Sequence, residues 1–262
     1  MKRIIIILAL MLLVVGCTTV QPVDKPTAVS DDTVTIASWN LQVFGKTKAD
    51  NSGVMKFYDD KMSNYDIIFV EEIRDESETA FKKLCKKFQG YNCDVSEREG
   101  RSSSKEQIGI IYKEYVTLNS YTTLEDPKDV WERSPVRANI SVHNYTFIVY
   151  NTHLKPDDVP REMKALTRVI IDKGNVVLMG DLNADCSYYD EADYDGEFES
   201  WKWLIGGDED TTVSQTDCAY DRIIVNNDIF NEVVNYGIDK EGITKEISDH
   251  YLVYVELDVG GK

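Results

Sequence analysis

Basic residues are the first shortage. The chain carries 29 Lys and Arg against 46 Asp and Glu, a formal charge of −17. Phosphate contacts from Lys and Arg normally supply much of the affinity of a nucleic-acid binder. A protein that grips a polyanion by bulk charge is therefore excluded. An enzyme that touches one through a few arginines and a divalent cation is not, although its binding should be weak, salt-sensitive and metal-dependent. Histidine is scarce too, with three in 262 residues. The five cysteines include no C-x-x-C pair, which argues against a Cys-rich zinc site. The longest apolar run, residues 4–15, is too short to span a bilayer comfortably. No internal repeat occurs, and no linker cuts the chain after Asp32.

What is present begins with an address. Met1-Lys2-Arg3, the apolar run and Gly16-Cys17 have the layout of a signal peptide. Val14-Val15-Gly16-Cys17 resembles the bacterial lipobox, which implies a signal peptide over 1–16 and a lipid anchor on Cys17. An ordinary secretory signal cleaved nearby would export the chain equally well. Residues 17–32 hold two prolines and no apolar periodicity, as a flexible tether does. Removing Lys2 and Arg3 with the leader takes the charge from −17 to −19. Cys85, Cys93, Cys186 and Cys218 in an exported chain suggest two disulfides, with three connectivities open.

Apolar periodicity predicts strands over 33–39, 65–70, 91–95, 107–112, 116–122, 136–142, 145–151, 175–179, 222–225, 232–234 and 251–257. Helices are expected over 52–63, 76–88 and 161–172, and a hairpin turn at His143-Asn144. Many strands and few helices suggest two packed sheets covered by helices, in one domain over 33–258.

Several predicted strands end alike: at Asn40, Glu72, His153, Asp181 with Asn183, Asp221, and Asp249-His250. One such end is usually a solvated turn. Their repetition, with two of the three histidines among them, points to a common site. Clustered Asp, Glu and Asn oxygens favour hard cations such as Mg²⁺, Mn²⁺ or Ca²⁺. Paired histidines, each needing a carboxylate to fix its tautomer, suit acid–base work near neutral pH.

Six segments then occur in a familiar order: Ile36-Ala37-Ser38-Trp39-Asn40, Val70-Glu71-Glu72-Ile73-Arg74-Asp75, Asn151-Thr152-His153, residues 179–188, Cys218-Ala219-Tyr220-Asp221-Arg222-Ile223, and Ile247-Ser248-Asp249-His250-Tyr251. Together they resemble the endonuclease/exonuclease/phosphatase superfamily. Cys186-Ser187-Tyr188 and the Cys218 segment resemble its deoxyribonuclease I branch more specifically. The resemblance runs from about Val34 to Leu257. It implies a four-layered α/β sandwich with two packed β-sheets, and a divalent-metal-dependent phosphodiester hydrolase acting on DNA as a monomer.

Carried over by position, Glu72 is the main metal ligand, with Asn40 and Asp249 nearby. His153 and His250 are the acid–base pair, partnered by Glu106 and Asp221. Asp181 and Asn183 place the scissile phosphate and the attacking water. Arg74, Arg133 and Arg101 match DNA-contacting positions. Cys186 and Cys218 match a structural disulfide, whereas Cys85 and Cys93 match no family pair. Asp210 and Thr212 lie in a stretch that resembles a structural Ca²⁺ loop. Ser104 and Gln42 replace a Tyr and an Arg, which weakens the expected hold on double-stranded DNA. Two rival readings are a phosphodiesterase on lipid head groups, of sphingomyelinase or phosphoinositide type, and a non-catalytic envelope binding protein.

Overall fold

The computed structural model describes residues 32–101, 105–190, 196 and 198–260. The signal peptide, most of the tether, Cys17 and Ser104 lie outside the described residues. Strand β1 (Thr33–Phe44) is followed by α1 (Lys46–Asp50), α2 (Ser52–Met62) and β2 (Ile67–Ile73). Then come α3 (Thr79–Cys85), β3 (Tyr91–Val95), β4 (Gln107–Lys113), β5 (Val116–Thr123), β6 (Val136–Val142) and β7 (Tyr145–Asn151). The chain continues through α4 (Val159–Val169), β8 (Val176–Asp181), β9 (Lys202–Trp203), β10 (Asp221–Val225), α5 (Asn227–Phe230), β11 (Val233–Asp239) and β12 (Leu252–Asp258). No described helix is long and apolar enough to cross a membrane.

Two six-stranded sheets form, in the orders β11-β12-β1-β2-β4-β3 and β5-β6-β7-β8-β10-β9. Each holds one parallel pair, β1 with β2 and β7 with β8. A parallel pair needs a crossover, and these are made by α1 and α2 in one half and by α4 in the other. Within β1 and β2, Val34, Ile36, Ile67 and Phe69 pack toward the second sheet. Their alternates Ala37, Trp39, Ile68 and Val70 pack under α1–α3. Residues of α4 cover the outer face of the second sheet with Tyr150, Val176 and Leu178. The four layers are helix, sheet, sheet and helix. Strands buried on both faces read as unbroken apolar runs, which is why 175–179 looked buried rather than half-exposed.

Several bounds differ from the sequence expectation. Strand β1 runs past Asn40 to Phe44, because Gln42 and Val43 take left-handed φ of 48° and 55° and form a bulge rather than a stop. Strand β2 continues through Glu71 and Glu72 to Ile73. The helix expected over 161–172 begins with Pro160 in its first turn and ends at Val169. Strand β11 is seven residues, an edge strand whose alternate positions face solvent and so dilute its apolar signal. Helix α1, with five residues, is too short for periodicity to reveal.

The carboxyl ends of the two parallel pairs face each other across the interface. Gly180, at φ 136°, allows this approach. A Cβ there would lie 2.3 Å from the Thr152 carbonyl oxygen and 2.8 Å from Glu71 Oε1. Such a clash on an unfavourable φ costs on the order of 3 kcal/mol.

Candidate active site at the facing strand ends

Asn40 lies on β1, Glu71 and Glu72 on β2, Asp181 at the end of β8, and Asp221 at the start of β10. His153 follows β7, and Asp249-His250 precede β12. The last segment is laced onto the β1 end. Ser248 Oγ donates to the Asn40 carbonyl at 2.6 Å, and Trp39 Nε1 to the His250 carbonyl at 2.9 Å. Lys48 Nζ donates to the carbonyls of Leu41 and Ile247, and Tyr58 OH also donates to Ile247. Burial lowers the Lys48 pKa to about 8, against the pull of Asp249 and Glu72.

Asp181 Oδ2 is the hub. Asn40 Nδ2 donates to it at 3.0 Å, His153 Nε2 lies 3.4 Å away and His250 Nε2 3.6 Å away. Its other oxygen, Oδ1, accepts the Asn183 N–H at 3.1 Å. Asn183 itself sits at φ 48°, and its side-chain amide donates to the Leu154 carbonyl. Glu72, at φ 58°, accepts from Asn40 Nδ2 at 3.3 Å and from the Val43 N–H at 2.8 Å. Left-handed backbone in non-glycine residues is uncommon and gathers at functional sites. Here Glu72 faces Asn40, and Asn183 is folded back against Asp181 and Leu154.

Each imidazole is backed by a buried carboxylate. His153 Nδ1 lies 2.6 Å from Glu106 Oε1, and His250 Nδ1 lies 2.8 Å from Asp221 Oδ2. Both therefore present Nε2 to Asp181. Burial works against the His153 imidazolium, but Glu106 and Asp181 overcome it and raise its pKa to about 8. Burial likewise opposes charge on His250, and Asp221, Asp181 and Asp249 hold its pKa well above the usual value. Burial would raise Glu106, yet His153, Arg133 and Arg74 keep it at about 2.

The three arginines are engaged by acids. Arg74 bridges Glu72 Oε2 at 3.0 Å and Glu106 Oε2 at 3.1 Å. Arg133 Nε lies 3.0 Å from Glu106 Oε1 and donates to the His153 carbonyl. Arg101 pairs with Asp129 at 2.9 Å, and its backbone N–H donates to Glu132. In the Asp210 loop, the Thr212 N–H and hydroxyl donate to Asp210 Oδ1, and Lys240 approaches Oδ2 at 3.6 Å. Cys186–Cys218 and Cys85–Cys93 are both disulfides, with Cα–Cα separations of 5.9 and 6.2 Å. The first ties the loop after Asp181 to the segment that leads into Asp221.

The donor set fits a hard divalent cation. Glu72, Glu106 and His153 bring ligating atoms within 4.8 Å of one another, as do Asp181, Asp221 and His250. Glu106 Oε2 is buried, faces Arg74 and accepts no hydrogen bond. Asn40 is arranged differently from a simple ligand. Its Oδ1 accepts the Gln42 N–H at 2.9 Å, so its NH₂ group faces Glu72 and Asp181.

Sequence reasoning passed over Glu71, Asn151, Thr211 and Lys48. Glu71 is fully buried and accepts from Ser38 Oγ, Asn151 Nδ2 and the Asp181 N–H. Burial, with Asp181 and Asp221 adding to it, raises its pKa to about 8. A carboxylate directly after the apolar residues 67–70 must enter the sheet interior or turn away, but with Glu at both 71 and 72 the sequence does not say which one enters.

These features agree with known proteins. The Endonuclease/Exonuclease/phosphatase family model matches residues 37–250. Deoxyribonuclease-1 of Gallus gallus is 32% identical over 260 residues, covering 86% of this chain and 92% of that protein. Deoxyribonuclease-1 of Homo sapiens is 32% identical over 259 residues, covering 85% and 91%. A humanized D. rerio TDP2 structure, 15% identical, shares the fold with a TM-score of 0.65 over 87% of this chain and 99% of its own.

The raised His153 and Glu71 values set a pH dependence for the protein in chelator. A histidine raised from about 6.5 to about 8 stabilises fully below 6.5 and stops doing so as pH passes 8. A carboxyl raised to about 8 shifts stability in the same direction over its own range. The melting temperature should fall between pH 6.5 and 8.5, and His153→Gln should flatten part of that fall. A wild-type melting temperature constant over this range would contradict the assigned environments.

Proposed function

The chain belongs to the endonuclease/exonuclease/phosphatase family as a deoxyribonuclease I-like nuclease, and we propose that it is a divalent-metal-dependent endonuclease cleaving DNA by water attack. One observation carries the reading: two carboxylate-backed histidines present Nε2 to the same oxygen of Asp181, within 3.4 and 3.6 Å. A phosphodiester between them would meet a base for the attacking water on one side and an acid for the leaving oxygen on the other. Glu106 and Asp221 fix the Nδ1 side of each ring, so proton transfer runs through Nε2. Asn40 and Asn183 hold the two oxygens of Asp181 in place.

Mg²⁺ or Mn²⁺ would be held by Glu72, with Asp249 and Asn40 beside it, and would supply charge to stabilise the phosphoryl oxygens. In the same reading a structural Ca²⁺ would be held by Asp210 and Thr212, displacing Lys240 from Asp210. Arg74 and Arg133 remain 25% and 12% exposed at the side chain. They can reach a phosphate only while still holding Glu106, so they position as much as they bind. Arg101, held by Asp129, is the third DNA-contacting residue of this reading. The two disulfides and the leader support export, with the domain anchored to the membrane through lipid on Cys17.

Purified protein should nick supercoiled plasmid with Mg²⁺ and Ca²⁺ and lose that activity in chelator. His250→Ala should lower kcat by about 10²–10⁴. Intact plasmid alongside hydrolysis of sphingomyelin or a phosphoinositide would replace DNA by a lipid head group as substrate. Mass spectrometry of membrane-extracted protein should find an acylated N-terminal Cys17. A free thiol there, or a cut elsewhere, would remove the anchor.

A further inference from the structure

Glu71 and Glu72 are neighbours in β2, yet they serve different surfaces. The left-handed φ of Glu72 turns its carboxylate to the open strand ends, where it meets Asn40 and Arg74. Glu71 instead enters the seam between the two sheets and is fully buried. Its Oε1 accepts from Ser38 Oγ of β1 at 2.9 Å and from Asn151 Nδ2 of β7 at 3.0 Å. Its Oε2 accepts the main-chain N–H of Asp181 of β8 at 3.1 Å. Asn151 Nδ2 also donates to Ser38 Oγ and to the Met179 carbonyl, which closes a polar knot joining both parallel pairs. The knot lies behind the site, and Gly180 leaves the room it occupies.

We propose that Glu71 is a positioning residue for the reaction: it holds the main chain of Asp181 at a fixed place relative to Glu72, its own neighbour in sequence. The two carboxylates come from different sheets, and packing of aliphatic side chains alone leaves sheets free to slide by fractions of an ångström. A rigid acceptor on the first sheet that takes an N–H from the second removes that freedom at the strand ends. The separation of Glu72 and Asp181 is then set by one dipeptide. This inference rests on Asp181 and Glu72 being the site carboxylates.

The decisive variants separate reach from charge. Glu71→Gln keeps the reach and an oxygen acceptor, whereas Glu71→Asp keeps the carboxylate and is one methylene too short. Plasmid cleavage by Glu71→Gln should stay within about threefold of wild type in kcat. Glu71→Asp should lose about 10- to 100-fold in kcat with KM changed less than about twofold, the size of effect a small misplacement has. Hydrogen exchange at the Asp181 amide should quicken about tenfold in Glu71→Asp while that of Val177 is unchanged, a result independent of any nuclease activity. Val255→Ala, a cavity in the same inter-sheet core, should lower the melting temperature and leave kcat intact. The proposal is overturned if Glu71→Asp keeps wild-type kcat, if Glu71→Gln fails as badly as Glu71→Asp, or if the Asp181 amide exchanges alike in all forms. Should wild type cleave no DNA, the functional reading falls on its own, and the exchange comparison still decides whether Glu71 holds Asp181.

Discussion

The closeness of the two packed sheets at Gly180 is the constraint from which the rest follows. Each sheet contains one parallel pair, and a parallel pair delivers both of its carboxyl ends to the same side. Packing the sheets face to face sets the four ends opposite one another. Only a residue without a side chain can let β8 come as near to Glu71 and the Thr152 carbonyl as it does. Once the approach is made, Asn40, Glu72, His153 and Asp181 are neighbours, although they span more than a hundred residues of chain.

Gathering carboxylates in this way carries an electrostatic cost, and the arrangement of cations answers it. Arg74 and Arg133 flank Glu106, and the histidines take the remaining acid oxygens. Burial alone would push each imidazole toward its neutral form. The paired acids reverse that and raise both rings above the ordinary histidine value. A divalent cation at Glu72 would relieve the same repulsion. The Asn40 amide, donating to both carboxylates, is the protein's own partial answer.

Much of this was legible in the residues. Glu72, His153 and Asp181 marked the site because each follows an apolar run, and Asp221 and His250 because each stands just before one; the structure gathers them around Asp181. The Cys186–Cys218 and Cys85–Cys93 bridges both form, though spacing alone could not choose among three pairings. What stayed hidden depends on backbone conformation and on the space between sheets. The bulge at Gln42-Val43, which fixes the Asn40 and Glu72 side chains, lies in residues with no turn signature. Glu71 was masked by Glu72, since neighbouring identical side chains give no hint which one faces inward. Arg101 and Arg133, matched in sequence to DNA-contacting positions, lie against acids brought in from distant parts of the chain.

The account stands or falls on whether the two halves of the chain build one cation site. Calorimetric titration of metal-free protein with Mn²⁺ measures this directly, with no substrate present. Glu72→Gln from the first half of the chain and Asp249→Asn from the second should each weaken the same binding event by about tenfold or more. Undiminished Mn²⁺ affinity in either variant would contradict a shared site.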